Sequence, residues 1–214
     1  MDGTTVRALV NLATAMNRYT DIKVDIGAEI PLDSRQLLKT PWVYVIAHEK
    51  TRGFDITFSE SLNLGEYLTS GGFLFAESVS QSAGSMVGTS WELALRQMLR
   101  DALATQRIVH GRDWTFDPLP DSHPIYHCFF DFGKAPTCVE IWARVVPDYL
   151  DGITLAGRLV AIVSLKDYFT AWNHRGFVNR GLDPSRLRQF GVNILVFVLT
   201  QEGSITQQVI QMLD

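Results

Sequence analysis

Five side chains in this sequence could carry polar chemistry if the fold gathers them: His48, Glu77, His123, Asp167 and Trp172. Glu77 closes the run Phe73-Leu74-Phe75-Ala76-Glu77, at the carboxyl end of a short apolar strand. In an open α/β sheet, ligands bind in the crevice beyond the carboxyl ends of the strands. His48 follows the apolar run 42–47 and belongs to the same edge, where a histidine can act as base, donor or metal ligand. Asp167 follows the apolar run 158–164, with Trp172 soon after. The carboxylates of Glu77 and Asp167, converging with His123, would suit a divalent cation that takes oxygen ligands.

Each residue also has a plainer reading. A carboxylate after a strand caps the next helix, and a histidine after a strand stands in a solvated loop. His123 precedes Pro124, which forces the backbone extended and suits a turn. His123 and His127 lack the spacing and the glutamate of a zinc protease. Gly84-Ser85-Met86-Val87-Gly88 has its serine one place early for a nucleophile elbow. There is no phosphate loop and no dinucleotide fingerprint. No cysteine follows strand 73–76, so a glutamine-hydrolysing nucleophile has no evident seat.

Composition narrows the field. The chain has 214 residues, 46% hydrophobic and 20% charged, enough for one generous domain with a sizeable core. A net charge of −4 and 19 scattered Lys and Arg give no basic stripe for nucleic acid. Arg96, Arg100 and Arg107 read as a solvated helix face. Cys128 and Cys138 match no zinc or CxxC spacing and read as free thiols. No apolar run reaches the roughly 18–20 residues of a membrane-spanning helix, and the first residues lack the basic and apolar blocks of a signal peptide. A soluble, cytoplasmic protein is expected.

These residues need elements to position them. Val6, Leu9, Val10, Ala13 and Met16 have helical spacing over residues 4–18. Ile22-Lys23-Val24-Asp25-Ile26 alternates as a half-buried strand does. Run 42–47, nearly all apolar, suits a parallel strand covered on both faces. Thr57 and Glu60 have capping-box spacing for a helix that stops at Gly71. Strand 73–76, a Ser- and Gly-rich mobile loop over 78–90 and a helix over 90–104 follow. The region 109–152 is an irregular, turn-rich excursion. Strand 158–164, a helix opened by Asp183-Pro184 and buried from 190 to 199, and a short helix over 204–213 complete the chain. Strands alternating with helices predict a flavodoxin-like, three-layer α/β/α fold with a doubly wound, mostly parallel sheet, in a single domain over 1–214.

Residues 66–75 (Glu-Tyr-Leu-Thr-Ser-Gly-Gly-Phe-Leu-Phe), then His123-Pro124-Ile125-Tyr126, Gly152-Ile153, Gly157-Arg158, Asp167 with Trp172, and Gly191-Val192-Asn193-Ile194-Leu195 run in order along the chain. Together they resemble domain-of-unknown-function family 4159, a bacterial group. The resemblance implies a class I glutamine-amidotransferase-like fold without an established activity. The family usually carries two aspartates after the Gly-Gly-Phe strand; Ala76-Glu77 stands there in this chain. Its Gly-Asp-Gly-Trp run is replaced around Asp167 by Tyr168-Phe169-Thr170-Ala171-Trp172, which drops a second acid. Family members also begin with a strand before the first helix. The resemblance therefore leads one to expect an alternative strand, a partner chain, or a start further upstream to fill that place.

Two functions follow as expectations. One is a non-catalytic module that binds a small polar ligand or a protein partner, a homo-oligomer being compatible with it. The other is a metal-assisted hydrolase or transferase using Glu77, His123 and Asp167 with His48 nearby, which would need an open metal position and a bound water. On the first reading Glu77→Gln should cost no more than the ±0.5 kcal/mol usual at surfaces.

Overall fold

Three apolar runs of seven residues form the parallel part of the sheet in a computed structural model of the chain, which describes residues 3–48, 55–79, 84–137, 144–174 and 183–213. The elements are α1 (Gly3–Tyr19), β1 (Trp42–His48), α2 (Phe58–Thr69), β2 (Phe73–Val79), β3 (Gly84–Ser85), α3 (Ser90–Thr105), β4 (Asp117–Pro118), β5 (Arg144–Val145), β6 (Asp151–Leu155), β7 (Arg158–Ser164), α4 (Tyr168–Asn173), α5 (Pro184–Thr200) and α6 (Ile205–Leu213). Single 3-10 turns occur at Leu37–Lys39 and Pro124–Tyr126.

The main sheet has five strands in the order β1-β2-β7-β6-β4. β1, β2 and β7 run parallel, with Tyr44 opposite Phe75 and Phe75 opposite Ile162. β6 turns back antiparallel on β7, and β4 continues antiparallel on β6. Because strand side chains alternate between faces, β2 feeds two cores. Phe73 and Phe75 join Leu12, Met16, Trp172 and Phe190 on one face. Leu74 and Ala76 join Leu64, Leu68, Leu95 and Leu99 on the other. Helices α1, α4 and α5 thus cover one face, and α2 and α3 the other. Among the described residues no helix is long and apolar enough to cross a membrane.

Local signals set the boundaries. Thr57 caps α2 through a full capping box, its hydroxyl accepting from Glu60 N at 3.2 Å while Glu60 Oε2 accepts from Thr57 N at 2.7 Å. The chain leaves α2 through Gly71, whose φ of +111° favours glycine. Asp183 caps α5 with Pro184 in its first turn.

Three expectations change. Residues 22–26 form no strand: Asn17 of α1 holds both backbone groups of Val24, donating to its carbonyl at 3.1 Å and accepting its N–H at 2.9 Å. An alternating pattern encodes an extended, half-buried chain but not the neighbour that completes a ladder, and here a side-chain amide takes that part. β2 runs on to Val79, so Glu77 lies within the strand and not at its end. The stretch expected as a mobile loop contains β3, paired parallel with β5. Cys138 and residues 80–83 lie outside the described residues.

Candidate functional site

Glu77 points from β2 toward the face covered by α4, and it is fully buried. Its carboxylate accepts four hydrogen bonds. Oε1 takes the Ser164 hydroxyl at 3.0 Å and the Tyr168 N–H at 2.8 Å. Oε2 takes the Tyr44 hydroxyl at 2.5 Å and the Phe169 N–H at 2.9 Å. Two of these donors are first-turn amides of α4, which have no partner within their own helix. Asp167 caps the same helix, accepting from Thr170 N at 3.1 Å, with its backbone in the left-handed region at φ 61°. Burial and the nearby Asp167 charge push the Glu77 carboxyl up to about 7, against hydrogen bonds from Tyr44, Tyr168 and Phe169 that pull it down.

The five expected residues therefore separate. Glu77 and Asp167 meet at the start of α4. Trp172, one turn further along that helix, is fully buried; its indole N–H donates to Leu187 O at 3.1 Å, and its ring packs on Tyr44, Phe75 and Tyr168. His48 ends β1 opposite Val79. His123 packs against α5: its Nδ1 accepts from Ile125 N at 3.2 Å, its ring lies 5.3 Å from that of Phe197, and burial lowers its pKa. Among the described residues no three His, Cys, Asp or Glu side chains are gathered to hold a metal ion.

Sequence reading overlooked Tyr44 and Ser164 as partners of Glu77. Both lie in strands next to β2, and only strand order and register bring them to it. It also misjudged Arg96. That guanidinium is not on a solvated face: it pairs with Glu92 and Asp151, tying α3 to β6, and lies 4.6 Å above the Phe116 ring. The spacing of Glu92 and Arg96, four residues apart on one helix, was a legible signal. Lys166, also buried, donates to Pro147 O at 2.9 Å.

The residues of the family-like words serve the fold. Tyr67 both donates to Phe73 O at 2.9 Å and accepts Phe73 N–H at 3.0 Å, clamping the start of β2. Arg158 donates to Leu68 O and to Gly72 O. Asn193, buried within α5, holds Phe130 N and O and Ile125 O through its amide.

A groove of about 980 Å³ runs beside β1. Among the described strands β1 is one edge of the sheet, and most of its residues are only half-buried although they are apolar. Leu9, Leu12 and Ala13 of α1 and Leu195 and Leu199 of α5 line the groove, as do Ile30 and Leu32. Tyr44, whose hydroxyl donates to Glu77, and His48 line it too, while Glu77 itself does not.

A family model described as Domain of unknown function (DUF4159) matches residues 1–199. No curated protein matches the chain.

Proposed function

The chain belongs to this family of unknown function, and from that premise we propose that it is a non-catalytic module that binds a protein partner. The observation carrying the reading is the saturation of Glu77. An ionised carboxylate has about four acceptor positions, and Ser164, Tyr168, Tyr44 and Phe169 occupy four. A metal ion would have to displace donors, two of which hold α4 to the sheet. Asp167 is likewise engaged as a cap. Among the described residues His123 is not gathered with Glu77 and Asp167 as a third ligand. We read the fold as amidotransferase-like, flavodoxin-like and three-layered, a reading supported by three parallel strands with helices on both faces.

The test is thermal unfolding of wild type and Glu77→Gln with magnesium, manganese, calcium and zinc in turn. A native-state ligand at a hundredfold excess over Kd stabilises by about 2.7 kcal/mol. On this reading the two proteins respond alike to every metal. A metal-specific rise in wild type that Glu77→Gln loses would overturn it in favour of metal-assisted catalysis.

A further inference from the structure

We propose that His127 is a proton-operated clamp on the segment 121–131, closed only when its imidazole carries both ring protons. The ring lies between two acceptors: Nδ1 is 2.5 Å from Asp131 Oδ1, and Nε2 is 2.8 Å from Asp121 O. A backbone carbonyl has no proton to give, and neither has an ionised carboxylate. A neutral imidazole has one N–H and satisfies one of the two, whereas imidazolium donates to both. The observed arrangement is therefore that of the charged form, and it draws both ends of the segment onto one ring. The clamp goes beyond the partner-binding reading and does not depend on it.

The middle of the segment is fixed by groups that keep one charge state near neutral pH. Asn193 of α5, fully buried, holds Ile125 O, Phe130 O and Phe130 N through its amide. Cys128 Sγ donates to Asn193 O at 3.2 Å. Arg186, also on α5, donates to Asp131 O and lies 3.8 Å over the Phe132 ring. Asp131 is thus anchored through its backbone, while Asp121 lies beyond the anchored stretch. The groups facing His127 are Asp121, Asp131 and the Tyr126 ring, edge-on at 6.5 Å, with Arg186 reaching Asp131 from α5. The hydrogen bond to Asp121 O first, and that to Asp131 second, hold the imidazole above its ordinary 6.5. The contribution of this group to stability is therefore complete below pH 6.5 and is lost as pH rises through the raised value. The proton that remains stays on Nδ1, because a bond to an ionised acceptor is the stronger. The lone pair of Nε2 then faces the Asp121 carbonyl, and that end of the segment is released.

Nitrogen-15 NMR of the imidazole from about pH 5 to 9, bracketing the ordinary histidine value, reads both protonation and tautomer. Wild type should show both ring nitrogens protonated at the acid end, a midpoint above 6.5, and the Nδ1–H form beyond it. The backbone amide of Ser122, whose nitrogen is bonded to the Asp121 carbonyl, should shift with the same midpoint. Asp131→Asn separates the clamp from an ordinary surface ion pair. An amide can donate to the bare Nδ1, which leaves Nε2–H on the Asp121 carbonyl at every pH. In that variant the neutral ring should be the Nε2–H tautomer, and the Ser122 amide should stay still across the range. A wild-type midpoint at or below 6.5, an Nε2–H tautomer above it, or a Ser122 amide indifferent to the His127 titration would each overturn the proposal. So would a Ser122 shift in Asp131→Asn equal to that of wild type.

Discussion

Glu77 of β2 accepts the backbone N–H of Tyr168 at 2.8 Å, across 91 residues of sequence. That bond joins the middle of the sheet to the first turn of a helix only six residues long. Short helices are marginal by themselves because nucleation is unfavourable. α4 is held by its caps and by the packing of Tyr168 and Trp172, and the carboxylate is part of that structure.

The acidity of Glu77 reports this environment. Burial first, and the Asp167 charge second, raise its carboxyl from an ordinary 4.5 to about 7. The native state then binds the proton more tightly than the unfolded chain between those values. The contribution of this group to stability is full below pH 4.5 and is lost as pH rises through 7. The Tyr44 and Ser164 hydroxyls can turn to accept from the protonated acid. A carbon-13 NMR titration of the Glu77 carboxyl should give a midpoint near 7, and a higher one in Tyr44→Phe, which removes a bond favouring the charged form. A midpoint at or below 4.5 would contradict the account.

Arg96 should matter far more than an exposed arginine. Its partner Glu92 retains 3% side-chain exposure, so removing the guanidinium strands a buried carboxylate. Breaking a buried pair from one side costs about 3–5 kcal/mol. Arg35 pairs with Glu66 at 74% and 41% exposure, where pairs contribute about 0–1 kcal/mol. Urea unfolding of Arg96→Ala and Arg35→Ala should show that contrast; equal losses would return Arg96 to the solvated face expected from sequence.

The junction of α2 and β2 should tolerate little change. Tyr67→Phe leaves the Phe73 N–H and C=O without their shared partner, at about 1–3 kcal/mol. A Cβ on Gly72 would lie 2.1 Å from the Tyr67 ring, which those same bonds hold in place. Gly72→Ala should therefore destabilise by about 1–3 kcal/mol, as overpacking does, and combining it with Tyr67→Ala should recover part of that loss. Full additivity of the two changes in denaturant unfolding would refute the contact.

Much of this was legible in the chain. The runs 42–47, 73–76 and 158–164 are continuous apolar segments, and Thr57, Glu60, Gly71 and Asp183-Pro184 mark helix ends through local bonds that depend only on neighbours in sequence. What local pattern could not supply was partnership. Val24 and Ile26 alternate as strand residues, yet Asn17, seven residues before Val24, takes the backbone groups a neighbouring strand would have used. The plain reading of Glu77 as a helix cap was available, but its helix proved to lie 91 residues away. Tyr44 reaches Glu77 only through the register of β1 on β2. Arg96 looked solvated because Asp151 and Phe116 lie in the irregular region whose path the sequence leaves open.

The most direct measurement is urea unfolding of wild type and Glu77→Gln in a metal-free buffer. An amide in place of the carboxylate puts an NH2 group against the fixed N–H of either Tyr168 or Phe169, because each oxygen now receives one of them. Neither backbone donor can turn away, and a buried donor left without an acceptor costs about 1–3 kcal/mol, more where a charge was involved. Because Glu77 is buried and not on the surface, the small cost expected from sequence no longer holds: the account predicts a loss of about 3 kcal/mol that added divalent metal does not alter. A loss within the ±0.5 kcal/mol typical of surface substitutions would contradict it and return Glu77 to the role of a ligand-facing acid.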